Sequence, residues 1–251
     1  MTAGPPREMP VRGILLDIEG TTTPIDFVYQ ILFPYARTHC RDFLAAHWPS
    51  EEVQSDIARL LEEHAEDKRR GLEPPDFPTT LKETQPESVL VYILWLMDQD
   101  RKSTGLKSLQ GKIWQNGYRT GTLRSQVFPD VPPALAAWHF RMMDIRIFSS
   151  GSVLAQKLLF AQTEAGDLTK FIRGYFDTTS GAKTDPQSYR RIAAAFECPV
   201  SAILFISDIT AELNAALTSG MQTALCLRPG NRPQPEASKY SLIRNFAELS
   251  L

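Results

Sequence analysis

A short apolar strand that ends in two carboxylates constrains this chain more than any other feature. Residues 14–16 are apolar and are typical of a buried strand, and Asp17 and Glu19 follow two positions apart. Residues two apart in a strand point to the same face, so both carboxylates are aimed past the strand's carboxyl end, where open α/β sheets bind ligands. A divalent metal would relieve the repulsion between the two anions, and Asp17 could attack phosphorus as a nucleophile. The alternative is that the pair is only a polar strand exit.

After the middle of the chain, strand and helix patterns alternate. Helical patterns separate apolar runs that predict further strands. The predicted strands are residues 144–148, 175–177, 202–206 and 222–227. This alternation predicts a parallel sheet with right-handed crossovers.

A block of helical periodicity is inserted directly after the first strand. Within it, the apolar spacing predicts helices over residues 51–70 and 87–100. The proline-containing segment 71–86 is predicted to be a surface loop. The stretch 103–121 carries four glycines and is predicted to be only partly helical, with an interruption.

These patterns together predict the fold class and the domains. We expect an α/β fold, with a Rossmann-like parallel sheet core and an inserted all-helical cap. The core would comprise residues 1–23 and 125–251, and the cap residues 24–124. An insertion at the carboxyl end of a strand is a candidate lid over the site.

The net charge and the cysteine content limit which partners and which cellular location we expect. The 251 residues carry a net charge of −2, which gives no electrostatic reason to expect nucleic acid or an acidic membrane surface as a partner. The three cysteines are far apart and odd in number, so we expect reduced core cysteines in a cytoplasmic protein. Residues 1–10 lack the apolar region of a signal peptide and are expected to be frayed. We expect a monomer with a small-molecule substrate.

Side chains able to perform chemistry recur at the strand exits and in one loop before a helix. They are Asp17, Glu19, Ser149, Ser150, Lys183 and Asp208. Each has a structural alternative, since serines and aspartates often cap helices and most lysines lie on the surface. Glu212, one helical turn beyond Asp208, is at most an orienting residue. Jointly they supply a nucleophile, an acid, phosphate donors, a fixed cation and a metal ligand, which phosphoryl transfer needs.

These residues, in this order, resemble the haloacid dehalogenase-like hydrolase superfamily. The first motif corresponds to Asp17, the second acid Glu19 and the threonine that follows, and the second to a strand ending in Ser149. Lys183 matches the third motif and the acidic strand exit Asp208 the fourth. Most phosphatases of the superfamily carry aspartate where this chain has Glu19.

Longer motifs are similar to the enolase-phosphatase E1 family of methionine salvage. They span residues 17–28, 109–114, 149–153 and 207–209. The resemblance covers nearly the whole chain, from Val11 to about Gly230. It implies a Mg²⁺-dependent enzyme that enolises 2,3-diketo-5-methylthiopentyl-1-phosphate and then removes the phosphate to give the acireductone. The residues that match its metal positions are Asp17, Glu19 and Asp208.

The resemblance also implies the roles of the site residues. Asp17 would attack phosphorus and form an aspartyl-phosphate. Glu19 would protonate the leaving oxygen, later activate water, and offer the metal its backbone carbonyl. Lys183 would hold Asp17 and the phosphoryl oxygens together. Ser149, Ser150 and Lys183 match the substrate-binding positions.

The helical insert would close over the substrate and contact its methylthio tail. Trp114 and Tyr118 are candidates for that contact. The alternative, which we favour because large aromatics are usually packed, is that both belong to the interior of the cap.

Other functions remain as alternatives. A small-molecule phosphatase of the same superfamily, without the enolase step, is the closest. A metal-free dehalogenase is less favoured because Glu19 and Asp208 together suit a cation. A non-catalytic sugar-phosphate-binding module would have no use for a nucleophile, and Ser152 does not lie in the Gly-x-Ser-x-Gly elbow of a serine hydrolase.

Overall fold

The computed structural model describes residues 10–249 and residue 251. The predicted fraying of residues 1–10 therefore lies outside the described residues, except for Pro10. The chain forms two compact units: one comprises the described residues of Met1–Val28 and Arg124–Leu251, and the other Tyr29–Leu123. In the described part of the chain, no helix has both the length and the apolar character needed to cross a membrane.

The first unit is built on a parallel sheet, which confirms the predicted fold class. Its six strands lie in the order β3-β2-β1-β4-β5-β6, and every neighbouring pair is parallel. The strands are β1 Gly13–Leu16, β2 Asp144–Phe148, β3 Gly174–Phe176, β4 Ile203–Ser207, β5 Gln222–Cys226 and β6 Ser241–Ile243. The sequence does not predict β6, because two of its three residues are exposed and only Ile243 is buried.

The central position of β1 brings its carboxyl end between two other strand exits. All four residues of β1 are buried, and Leu16 lies opposite Ile147 of β2 and Ile206 of β4. Gly13 is required there, because a Cβ at that position would lie 2.7 Å from the Phe196 ring. The register therefore aligns the residues that follow the three strands at one edge of the sheet.

Among its described residues, the first unit contains four α-helices. They are α5 Val131–Phe140, α6 Val153–Ala161, α7 Pro186–Ala193 and α8 Thr210–Ser219. Asp185 caps α7 by accepting a hydrogen bond from the Gln187 amide at 2.9 Å, and Pro186 is the first residue of the helix. α5 begins at Val131 and accommodates two prolines in its first turn, because prolines lack only an amide that the first helical turn does not use.

The second unit is all-helical among its described residues. A π-helical turn, Phe27–Leu32, leads into the first of its four α-helices. These are α1 Phe33–His47, α2 Glu51–Arg69, α3 Pro86–Asp98 and α4 Thr104–Arg119. Ser50 caps α2 by accepting from the Val53 amide, and His64 is buried with Nε2 2.9 Å from the Pro75 carbonyl.

The predicted interruption of residues 103–121 is wrong, because α4 is continuous. Its glycines mark close packing instead of breaks. A Cβ on Gly105 would lie 2.8 Å from Leu60 Cγ, and one on Gly117 would lie 2.6 Å from Tyr35 Oη. A glycine in a helix costs some stability, and here it permits neighbouring side chains to approach the helix backbone.

The candidate tail-binding aromatics lie inside the second unit. Trp114 and Tyr118 are both buried, and Trp114 Nε1 donates a hydrogen bond to the Leu32 carbonyl at 2.8 Å. This supports the interior alternative for both residues.

All three cysteines are free thiols. Cys40 and Cys226 are buried, and Cys198 is half-buried. Two of the three therefore lie in the core, as expected, whereas Cys198 is only partly buried.

Candidate active site

The loop after β1 fixes Asp17 at the centre of the sheet edge. Asp17 is buried, and the Thr21 hydroxyl donates to its Oδ2 at 3.3 Å. The amides of residues 21–23 all donate to the Ile18 carbonyl at 2.9 to 3.2 Å, which closes the loop. Gly20 has a φ of +76°, so this tight turn favours glycine.

Lys183 contacts Asp17 directly. Its Nζ forms an ion pair with Asp17 Oδ1 and lies 2.7 Å from Glu212 Oε2, and its side chain is only 12% exposed. The Tyr189 hydroxyl donates to the Lys183 carbonyl at 2.8 Å and holds the lysine's loop. Lys183 is therefore not a surface lysine. Burial alone would lower the pKa of Lys183, but Asp17, Glu212 and Glu19 outweigh it and raise the pKa, so the ammonium stays charged.

Glu212 contacts Lys183 directly, whereas the sequence indicated at most an orienting residue. It lies half-buried at the start of α8, where the Ser207 hydroxyl donates to its Oε2 at 2.9 Å beside Lys183. Burial raises the pKa of Glu212 to about 7, with Lys183 opposing the shift and Asp17 adding to it. The signal for this residue was its position one helical turn after Asp208, which places both carboxylates on one side of a helix start.

Asp208 lies close to the same charges. It is buried, and burial together with the negative charge of Asp17 raises the pKa of Asp208 to about 7. It does not cap α8: the N-cap residue is Ile209, whose amide bonds to Ser207 Oγ at 3.1 Å. The structure thus brings together Asp17 and Asp208, which are 191 positions apart in the sequence.

Glu19 turns its carboxylate towards the end of β2. The buried Ser149 hydroxyl lies 3.3 and 3.4 Å from the two carboxylate oxygens of Glu19. Burial and the charge of Asp17 raise the pKa of Glu19, as a proton-transferring acid requires. Ser150, which directly follows Ser149 at the end of β2, is exposed.

The beginning of α6 is already capped by other side chains. Ser152 Oγ accepts from the Ala155 amide at 3.2 Å, and Asp177 Oδ2 accepts from the Val153 amide at 3.3 Å. Ser149 is therefore not the cap of this helix. The amides of Val153 and Ala155 are therefore already engaged by protein side chains.

The oxygen groups fit a magnesium ion better than a transition metal. Within the described residues, no three His, Cys, Asp or Glu side chains form a metal-binding group. Asp17 and Asp208 are nonetheless buried together, and the Glu19 carboxylate is engaged by Ser149. Mg²⁺ prefers oxygen ligands, takes one or two protein carboxylates and retains several waters. Two carboxylates with a backbone carbonyl therefore suit Mg²⁺, in which case Glu19 would contribute through its main chain.

Lys183→Ala should weaken the binding of inorganic phosphate by about tenfold or more, because it removes a buried, charge-assisted donor. The dissociation constant can be measured by calorimetric titration with phosphate. Lys170→Ala, a lysine in the 3₁₀ turn Thr169–Phe171 of the same unit, serves as the control and should bind phosphate as the wild type does. Equal affinity of Lys183→Ala and the wild type would remove Lys183 from the phosphate site.

Comparisons with known proteins agree with this arrangement. A family model described as haloacid dehalogenase-like hydrolase matches residues 11–220, so the fold and the site define a hydrolase of that class. The chain is 49% identical over 244 residues to enolase-phosphatase E1 of Synechococcus elongatus, covering 97% of this chain and 100% of that protein. The chain belongs to the enolase-phosphatase E1 family of haloacid dehalogenase-like hydrolases.

Solved structures are similar in fold. The UTR4 protein of Saccharomyces cerevisiae superposes with a TM-score of 0.76 at 34% identity, covering 95% of this chain and 100% of that chain. The HAD-hydrolase YfnB of Bacillus subtilis, whose structure is bound to magnesium, gives a TM-score of 0.51 at 14% identity, with 96% and 97% coverage. The second likeness concerns the fold alone.

Proposed function

We propose that this chain is a Mg²⁺-dependent enolase-phosphatase of methionine salvage. It would convert 2,3-diketo-5-methylthiopentyl-1-phosphate to the acireductone 1,2-dihydroxy-3-keto-5-methylthiopentene and phosphate. The observation that supports this most is the meeting of Asp17, Lys183 and Asp208 at the end of β1. The name of the Synechococcus relative supports the same activity.

Phosphate removal would proceed through a covalent intermediate on Asp17. A carboxylate oxygen of Asp17 attacks phosphorus, and the bond from phosphorus to the substrate's C1 oxygen breaks. Glu19 gives its proton to that leaving oxygen and later takes one from the water that hydrolyses the aspartyl-phosphate. Lys183 keeps its positive charge beside Asp17 and the phosphoryl oxygens throughout.

The remaining site residues hold the substrate and the cation. The hydroxyl groups of Ser149 and Ser150 bind the substrate. Asp17, Asp208 and the Glu19 carbonyl would hold Mg²⁺, which supplies positive charge against the clustered carboxylates and the phosphate.

The all-helical unit is proposed as the cap. It would shield the reacting groups from water and contact the methylthio tail. Because Trp114 and Tyr118 are buried inside the unit, other side chains of the unit would make that contact.

The test of the function is to supply the diketone phosphate and follow enol absorbance and phosphate release together. An enol that forms before phosphate is released supports the enolase-phosphatase. Phosphate release without a preceding enol would favour the alternative, a phosphatase that lacks the enolase step.

Removing Mg²⁺ should abolish turnover, because Lys183 alone would then oppose the negative charge of the carboxylates and the phosphate. The measurement is the rate of phosphate release after dialysis against a chelator. Added Mg²⁺ should restore the rate, which controls for loss of folded protein. Unchanged turnover in the chelator would rule out the metal assignment.

A further inference from the structure

Asn231, in the loop after β5, has an amide whose orientation is fixed by its partners. Its Nδ2 donates to the Gly20 carbonyl at 2.9 Å and to the Cys226 carbonyl at 3.2 Å. Both partners accept hydrogen bonds only, so the amino group of the side chain must face them. The oxygen of the same amide must therefore face away from both carbonyls.

That oxygen is buried without a donor from the protein. No described residue donates a hydrogen bond to Asn231 Oδ1, and the atom is inaccessible to solvent. Buried acceptors in folded proteins are normally satisfied by protein, water or an ion. Asn231 Oδ1 therefore needs a hydrogen-bond donor or a cation that no described residue of the protein supplies.

The position of Gly20 shows where the oxygen points. A methyl group on Gly20 would lie 2.5 Å from Asp208 Oδ2 and 2.9 Å from Asn231 Oδ1. Both oxygens thus border one small volume against the loop that carries Asp17 and Glu19. Two acceptor oxygens that face one volume need a donor or a cation between them, and a Mg²⁺ ion with its hydration water supplies both.

We propose that Asn231 Oδ1 belongs to the divalent-cation site, where it acts with Asp208 as an oxygen towards the ion or its hydration water. This inference rests on the proposed function, because it assumes that Asp17 and Asp208 hold Mg²⁺. It gives Asn231 two tasks: its amino group anchors the Gly20 carbonyl, and its oxygen supports the cation.

Two substitutions separate these tasks. Asn231→Ala removes both the donor and the oxygen, whereas Asn231→Asp removes the donor and keeps an oxygen. Calorimetric titration with MgCl₂ in the absence of substrate gives the Mg²⁺ affinity of each full-length variant. Asn231→Ala should bind Mg²⁺ about tenfold or more weakly than the wild type, as for other residues that support a metal from outside its direct ligands. Asn231→Asp should retain the wild-type affinity or exceed it.

Controls make the result specific. Asn245→Ala alters an asparagine that caps a 3₁₀ turn of the same unit by accepting from the Ala247 amide, and it should leave Mg²⁺ affinity unchanged. Asp208→Asn should lose binding. Thermal unfolding without Mg²⁺ shows that each variant is folded, and Asn231→Asp should be the less stable of the two, because it sets a carboxylate against the Gly20 and Cys226 carbonyls.

Two outcomes would overturn the proposed role of Asn231 and leave the cation site itself intact. One is wild-type Mg²⁺ affinity in Asn231→Ala. The other is equal weakening of Mg²⁺ binding in both variants, which would mean that Asn231 only anchors the Gly20 carbonyl. If the wild type itself binds no Mg²⁺, the cation site of the proposed function fails as well. The two failures are therefore distinguishable.

Discussion

Asp17→Asn should lower the rate of phosphate release by about 10⁴-fold or more, in line with the loss of other covalent nucleophiles. The amide has nearly the shape of the carboxylate and keeps an oxygen for the Thr21 hydroxyl, which lies 3.3 Å from Oδ2. It cannot attack phosphorus, and it presents a neutral group to Lys183. The effect should therefore fall on the chemical step while the fold is retained.

The measurement is the initial rate of phosphate release from the diketone phosphate. Asp185→Asn is a matched control, because Asp185 caps α7 in the same unit and asparagine caps a helix as well as aspartate does. This control should leave the rate unchanged. A rate for Asp17→Asn within about tenfold of the wild type would exclude Asp17 as the nucleophile.

Glu19→Gln should lower kcat for phosphate release by about 10²- to 10⁴-fold, the usual contribution of a general acid and base. Glutamine keeps the length of the side chain and an acceptor for Ser149, 3.3 Å away, but it cannot transfer a proton. Mg²⁺ affinity should remain near that of the wild type, because the backbone carbonyl is unchanged.

Phosphate-release kinetics and calorimetric Mg²⁺ titration test the two parts separately. Glu197→Gln, a largely exposed glutamate of the same unit, should change neither quantity. A large loss of Mg²⁺ affinity in Glu19→Gln would mean that its carboxylate, and not its carbonyl, binds the cation. An unchanged kcat would exclude Glu19 as the acid.

Local sequence patterns predicted most of the fold, and tertiary contacts account for the differences. The apolar runs of β1 and β4 are buried on both faces, so their signal is strong. The short edge strand β6 has little buried surface and no such signal. The glycines of α4 looked like helix breaks because the close approach of Leu60 and Tyr35 is not visible in the sequence.

In the candidate site, too, local sequence patterns predicted some residues, and tertiary contacts that the sequence does not show determine the others. Asp17, Lys183 and Asp208 were predicted because each lies at a strand exit or in a loop before a helix, and parallel strands deliver such residues to one edge. Asn231 was not predicted, since its partner Gly20 lies 211 positions away and no spacing links them. The contact of Glu212 with Lys183 likewise depends on where α8 packs.

The most direct measurement of the central claim is to locate the covalent phosphate. The enzyme is mixed with excess substrate, quenched in acid within one turnover, reduced with borohydride and analysed by peptide mass spectrometry. An aspartyl-phosphate is converted by this treatment to homoserine, and we expect that change at Asp17 in the wild type and not in Asp17→Asn. An unmodified Asp17, or a phosphate carried by Ser149 or Ser150, would contradict the account.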